Sequence, residues 1–221
     1  GHSMQSIFGY VADGIFQNEQ QVQEHAEQPG KDVGRIRYKD LNDDGEITPL
    51  DQRYLGVEHP DFEYGLNTQL SYKNFSFSFF FQGVQGIEVY NDMKYRTDFV
   101  GQWTGANFGA RTLDAWSPKN KDSNIPALSL SDKNNENRPS TYYVENGSYL
   151  KLRHFQIGYT LPDKMLERVG LSHLKVYLRG ENVFMIKDTN GDDQFTAPDP
   201  ENPDMAYPRP RKFILGLNLS L

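Results

Sequence analysis

Phe62-Glu63-Tyr64-Gly65-Leu66-Asn67-Thr68-Gln69-Leu70-Ser71-Tyr72, Lys73-Asn74, Phe75-Ser76-Phe77-Ser78-Phe79-Phe80-Phe81-Gln82 is the stretch that decides the fold. Tyr64, Leu66, Thr68, Leu70 and Tyr72 alternate with Glu63, Gly65, Asn67, Gln69 and Ser71, the two-residue period that sorts side chains onto opposite faces of a strand. Past the turn at Lys73 and Asn74, Phe75, Phe77, Phe79 and Phe81 share one face and Ser76, Ser78, Phe80 and Gln82 the other. Residues 62–82 are therefore predicted to form a long hairpin.

Three further strands follow the same period. Leu150 and Leu152 lie on one phase and Phe155, Ile157, Tyr159 and Leu161 on the other, so a one-residue slip, a β-bulge, is expected near Arg153 and His154. Leu174, Val176 and Leu178 alternate with Lys175, Tyr177 and Arg179, and Phe213, Leu215, Leu217, Leu219 and Leu221 face away from Lys212, Ile214, Gly216, Asn218 and Ser220. Helix is scarce: a polar one is predicted over 17–28 and a short one over 163–169, stopped by Gly170. The 14 Phe and 13 Tyr agree with strands, which favour large rings.

Composition bounds the rest. The 221 residues make one to two units, and 37% hydrophobic content with 19 glycines excludes wholesale disorder. No stretch reaches the ~18 consecutive apolar residues of a membrane-spanning helix. A net charge of −7 with scattered Lys and Arg argues against a nucleic-acid partner, and zero cysteines exclude a disulfide framework or thiolate chemistry. Residues 1–4, Gly-His-Ser-Met, read as a tag remnant, so 5–221 is expected to be cut from a longer protein.

Long irregular stretches over 90–142 and 187–210 alternate with short turns at Lys73-Asn74 and 162–172. Outer-membrane barrels have this asymmetry, and strands of about ten residues, polar on one face and aromatic on the other, suit a wall between lumen and lipid. A soluble β-sandwich also alternates, but its strands are typically ~5–6 residues long, so the expected class is all-β, an incomplete piece of a large transmembrane barrel.

The sharpest motif is residues 40–51, Asp-Leu-Asn-Asp-Asp-Gly-Glu-Ile-Thr-Pro-Leu-Asp. It places oxygens at positions 1, 3 and 5 of a calcium loop, Gly45 at the sharp turn and Ile47 at position 8. Ca²⁺ is a hard cation taking 6–8 oxygens, so Asp40, Asn42 and Asp44 are expected to ligate by side chain, Glu46 by its carbonyl, and Thr48 and Asp51 to complete the shell. Asp51 replaces the usual bidentate Glu. A weaker echo sets Asp188, Asn190, Asp192, Gln194 and Asp199 at equivalent positions, with Asp193 where the glycine belongs. Trp103 and Trp116 sit among Asn, Gly and Thr as sugar-stacking rings would. The five histidines share no catalytic spacing, so no enzyme is expected.

An ordered motif set carries a resemblance. Gly34-Arg35-Ile36-Arg37-Tyr38-Lys39-Asp40-Leu41-Asn42, Asp51-Gln52-Arg53, Pro60-Asp61-Phe62-Glu63-Tyr64-Gly65-Leu66-Asn67, Tyr72-Lys73-Asn74-Phe75 and Phe81-Gln82-Gly83-Val84 come first. Residues 144–153, 157–162, 174–177 and 207–211 leading into the last strand follow. Together they resemble the late barrel region of SusC/RagA-type TonB-linked outer-membrane receptors. The resemblance implies part of a plugged barrel of ~22 strands that imports oligosaccharides or peptides. It also implies a SusD-like surface lipoprotein lid and periplasmic TonB as partners, with the acidic loop on the outer side. Leu221 departs from the terminal aromatic of such barrels. The competing expectation is a soluble, calcium-stabilised carbohydrate-binding β-domain.

Overall fold

In a computed structural model, residues 1–99, 105, 107–167, 170–187, 195–203, 207 and 209–221 are described. In chain order the elements are β1 (Ser6–Gly9), β2 (Ala12–Ile15), α1 (Glu19–Glu24), β3 (Ile36–Tyr38), β4 (Arg53–Val57), β5 (Phe62–Tyr72), β6 (Phe75–Gln85) and β7 (Glu88–Tyr90). There follow α2 (Asp92–Asp98), β8 (Val144–Asn146), β9 (Tyr149–Thr160), α3 (Asp163–Leu166), β10 (His173–Lys187) and β11 (Lys212–Ser220).

The long strands form one antiparallel sheet in the order β11-β10-β9-β6-β5. Its register carries the alternation of each strand across the whole sheet. Leu70, Phe77, Ile157, Leu178 and Leu215 stand opposite one another in one row, and Tyr72, Phe75, Tyr159, Val176 and Leu217 in the next. The intervening rows are polar: Gln69, Ser78, Gln156 and Arg179, then Asn67, His154, Glu181 and Lys212, with Phe80 and Ile214 the apolar members. Directly opposed residues of antiparallel strands share a face, so one face of the sheet is apolar and the other mostly polar. Phe77, Phe79 and Phe81 stack along β6 with centroids 5.4 and 5.5 Å apart, and Tyr64 lies over Gly83, where a Cβ would overlap its ring.

No second layer covers the apolar face among the described residues: Leu215 is 76% exposed and Leu217 68%. Burying such a side chain is worth ~1.5–3 kcal/mol, a gain the sheet forgoes in water and recovers against hydrocarbon. A sandwich would have covered that face with its second sheet, so the soluble-domain expectation fails here.

The bulge falls where the period slipped. Arg153 has no partner in the β6 register, which jumps from Phe80↔His154 to Phe81↔Leu152, and on β10 the pairing skips from Glu181 to Phe184. Asn182, at φ 51°, absorbs the kink. Lys151, Arg153 and His154 are thereby all left on the polar side.

Both short turns lie at one end of the sheet. At the other end sits a lobe made of β1–β4, β2–β3 and β7–β8 pairs, α1, α2 and the long connections. Tyr10, Ile36, Tyr38, Ile47, Phe99 and Tyr143 form its core, and Val89, Phe195 and Ala197 a second cluster. The 90–142 stretch is thus not an extended loop: it contains α2, a 3₁₀ turn over Ala110–Asp114 and buried Trp116, Ile125, Asn134 and Glu136. The polar helix is shorter than predicted, capped by Asn18 and ended at His25, because Gln28 turns inward to hydrogen-bond Ile36 O and Asn134. The short α-helix spans Asp163–Leu166, residues 168–169 of the predicted stretch lie outside the described residues, and Gly170 has φ 68°.

Candidate functional site

The lobe encloses a cleft of about 630 Å³ between β2, α2 and the 111–125 and 141–145 segments. Part of its charged lining belongs to buried or half-buried pairs. Glu145 accepts from Asn91 Nδ2 at 2.9 Å and from Thr196 N at 2.9 Å, and lies 3.4 Å from Lys94 Nζ. Lys94 also stands 4.2 Å over the Tyr142 ring. Burial lowers the Lys94 pKa, which Glu145 only partly offsets. Arg111 bridges to Asp98 at 3.0 Å, yet burial still raises the Asp98 carboxyl above its usual range. Behind the cleft, Arg35 pairs with Glu136 at 2.9 Å and Glu136 accepts from Ile36 N at 3.0 Å, tying the 134–138 segment to β3.

On the polar face of the sheet, the segment after β10 folds back against β9. Glu201 accepts from Tyr149 OH at 2.8 Å, from Lys151 Nζ at 2.5 Å, and from two nitrogens of Arg153. Burial raises the Glu201 pKa, but these donors outweigh it and hold the carboxyl down at about 2.

The acidic loop is closed by its own backbone. Asp40 accepts from Asp43 N and Gly45 N at 2.8 Å each, and Asp44 accepts from Glu46 N at 2.9 Å and from Asn42 Nδ2 at 2.8 Å. Gly45, at φ 85°, makes the turn. Thr48 and Asp51 form a capping box around the 3₁₀ turn Pro49–Asp51, where the N–H that Pro49 lacks would have had no partner anyway. Fully buried Asp51 accepts from Leu41 N at 2.8 Å and Thr48 N at 2.7 Å; burial raises its pKa, and these bonds outweigh that and hold it below the usual value. Ile47 plugs the loop into the lobe core, and Glu27 clamps it through Gly45 O and Ile47 N. Among the described residues no three His, Cys, Asp or Glu side chains converge as a metal site.

Comparison with known proteins decides the family. A TonB-dependent receptor of Formosa agariphila is 32% identical over 230 residues, spanning 99% of this chain, and the TonB-dependent receptor SusC of Bacteroides thetaiotaomicron is 28% identical over 96% of it. The chain carries a barrel segment of SusC/RagA-type TonB-dependent receptors. It spans about a fifth of the length of these relatives, 22% and 20% respectively. A solved structure of the RagAB peptide transporter superposes with a TM-score of 0.72 over 98% of this chain at 20% identity, which shows the shared fold. A second RagAB structure, of a peptide importer in an open-open state, gives 0.68. No protein-family model matches the chain. These relatives are receptors and transporters rather than enzymes.

Within this receptor segment the predicted stacking rings fare differently. Trp116 is buried, its ring against Gly34 and its Nε1 donating to Gln17 Oε1 at 2.7 Å, so it is a core anchor and not a ligand platform. Its neighbourhood of small polar residues marks close packing, since Gly34, at φ 84°, leaves room for the ring. Trp103 lies outside the described residues, as do Asp188, Asn190, Asp192 and Gln194 of the second acidic loop. Asp199 is buried, accepts from Glu201 N at 3.1 Å and lies 3.8 Å from Lys151 Nζ. Sequence reading missed Lys94, Arg111, Glu145 and Glu201. The partners of their side-chain hydrogen bonds lie 13 to 54 residues away, a separation no local pattern reports, although the bulge at Arg153 pointed to the right place.

Proposed function

We propose that this segment forms part of the barrel wall of an outer-membrane, TonB-energised importer of oligosaccharides or peptides that works with a SusD-like surface lipoprotein. The single observation that carries this reading is the cross-strand register, which gathers apolar side chains from five strands on one uncovered face and polar ones on the other. Edge strands β5 and β11 each leave one side of the ladder unpaired among the described residues, as a wall continued by further strands requires. The lobe then lies at the outer mouth, where long loops belong. Similarity to SusC and to the RagAB peptide transporter supports this reading. Cells expressing the complete receptor should hold it in the outer-membrane fraction as a heat-modifiable band that brings a surface lipoprotein with it in detergent. Recovery in the soluble fraction would refute the reading.

We also propose that loop 40–51 takes Ca²⁺, through Asp40, Asn42 and Asp44 with the Glu46 carbonyl, Thr48 and Asp51 completing the shell. The bond from Gly45 N to Asp40 supports this, because it fixes the first carboxylate at the turn where an ion would sit. Calorimetry should show calcium heats that Asp40→Ala and Asp44→Ala abolish; equal heats would remove the ion.

A further inference from the structure

Glu201 is held by a set of donors that forms a carboxylate receptor in its own right. Arg153 Nη1 donates to Oε2 at 3.0 Å and Nη2 to Oε1, Lys151 Nζ reaches Oε2 at 2.5 Å, and the Tyr149 hydroxyl reaches Oε1 at 2.8 Å. A guanidinium fork, an ammonium and a phenol match the planar, two-oxygen geometry of a carboxylate. All three donors stand on β9, whereas Glu201 comes from the connection between β10 and β11. The receptor is preorganised: Arg153 Nε donates to Gln82 Oε1 at 2.6 Å, and the Lys151 side chain is only 3% exposed.

Charge favours an anionic occupant. The other acid near Lys151, Asp199 at 3.8 Å, belongs to the same segment as Glu201 and would leave with it. Lys151 and Arg153 would then lose both carboxylates they pair with here and keep Gln82, which leaves a cationic, donor-rich site open to another anion.

We propose that Tyr149, Lys151 and Arg153 form a carboxylate-binding subsite on the luminal wall, that Glu201 is its internal occupant, and that a carboxylate on the imported substrate competes with Glu201 for it. The proposal rests on the reading of the polar face as lumen. Substrates bearing acidic sugars or free peptide C-termini share the required chemistry, and neutral sugars lack it.

The test uses the complete receptor in detergent, its fold checked by the heat-modifiable shift, which also reads the barrel assignment separately. Four probes are titrated by calorimetry: tri-galacturonate, neutral maltotriose, N-acetyl-trialanine and its C-terminal amide. A competitor that fills a site nine-tenths of the time weakens apparent affinity about tenfold, so Glu201→Gln should tighten binding of at least one acid probe by roughly that factor. The acid that gains identifies the source of the carboxylate. Maltotriose and the amide should be unchanged, and adding Arg153→Gln should erase the gain. A folded Glu201→Gln receptor that gains for neither acid probe, or gains equally for the neutral ones, overturns the proposal.

Discussion

The sheet and the lobe solve the same problem in opposite ways. In the sheet, Leu70, Leu178, Leu215 and Leu217 point outward and lie exposed, and the charged and amide side chains Arg179, Glu181 and Gln156 share the other face. In the lobe, Tyr38, Ile36 and Tyr143 are fully buried, and the charged Glu136 is buried with them because Arg35 and the Ile36 N–H satisfy it. The lobe can draw stability from its own core; the sheet needs hydrocarbon on one side. One chain therefore follows two hydrophobic rules, and the boundary between them falls near Val84 and Tyr149, where the strands enter the lobe.

Substitutions can sharpen that contrast. Glu136→Ala strands the Arg35 guanidinium and the Ile36 N–H, and should cost the lobe about 3–5 kcal/mol, read as faster amide exchange across β2 and β3. Leu178→Arg should cost ~2–4 kcal/mol in lipid vesicles if the side chain lies near the bilayer midplane, measured by denaturant unfolding in the bilayer. A negligible cost there would break the comparison, because it would mean that the exposed face does not meet lipid.

Asp51→Ala removes the Asp51 half of the capping box together with the bond from Leu41 N, and should cost ~0.5–2 kcal/mol. Its pH dependence has a fixed sign. Because the folded carboxyl is held below its usual value, the stabilisation is fully present above the unfolded pKa of ~3.9 and is lost as pH falls through the lower folded value. The gap between parent and variant unfolding curves should therefore close in acid and stay constant at neutral pH. Smallest of all, Leu113→Ala, at an 89% exposed position of the lobe, should change stability by no more than ~0.5 kcal/mol in thermal unfolding.

How much was legible in sequence follows the same divide. The strands β5, β6, β9 and β11 announce themselves through strict alternation, and even the bulge shows as a phase slip at Arg153. The second half of β10 does not, because Gly180, Glu181 and Asn182 interrupt the period where the register skips. The lobe is nearly silent: Asn134, Glu136 and Arg138 read as loop polarity, and only the fold brings them to Gln28, Ile36 and Tyr38. The turn glycine and the Asx spacing of residues 40–51 were local and readable, whereas the use of Asp51 as a cap depends on Thr48 and Pro49 forming a 3₁₀ turn. The Glu201 contact spans about fifty residues and could be found only in three dimensions.

Because the chain has no cysteine, single thiols introduced into this segment report without competition from it. Bimane-labelled Cys at 77, 178 and 215 and at 78, 156 and 179 of the complete receptor, reconstituted with brominated lipids, tests the division of the sheet most directly. The account predicts quenching at 77, 178 and 215 and little at the other three. Equal quenching on both faces, or the reverse pattern, would contradict it.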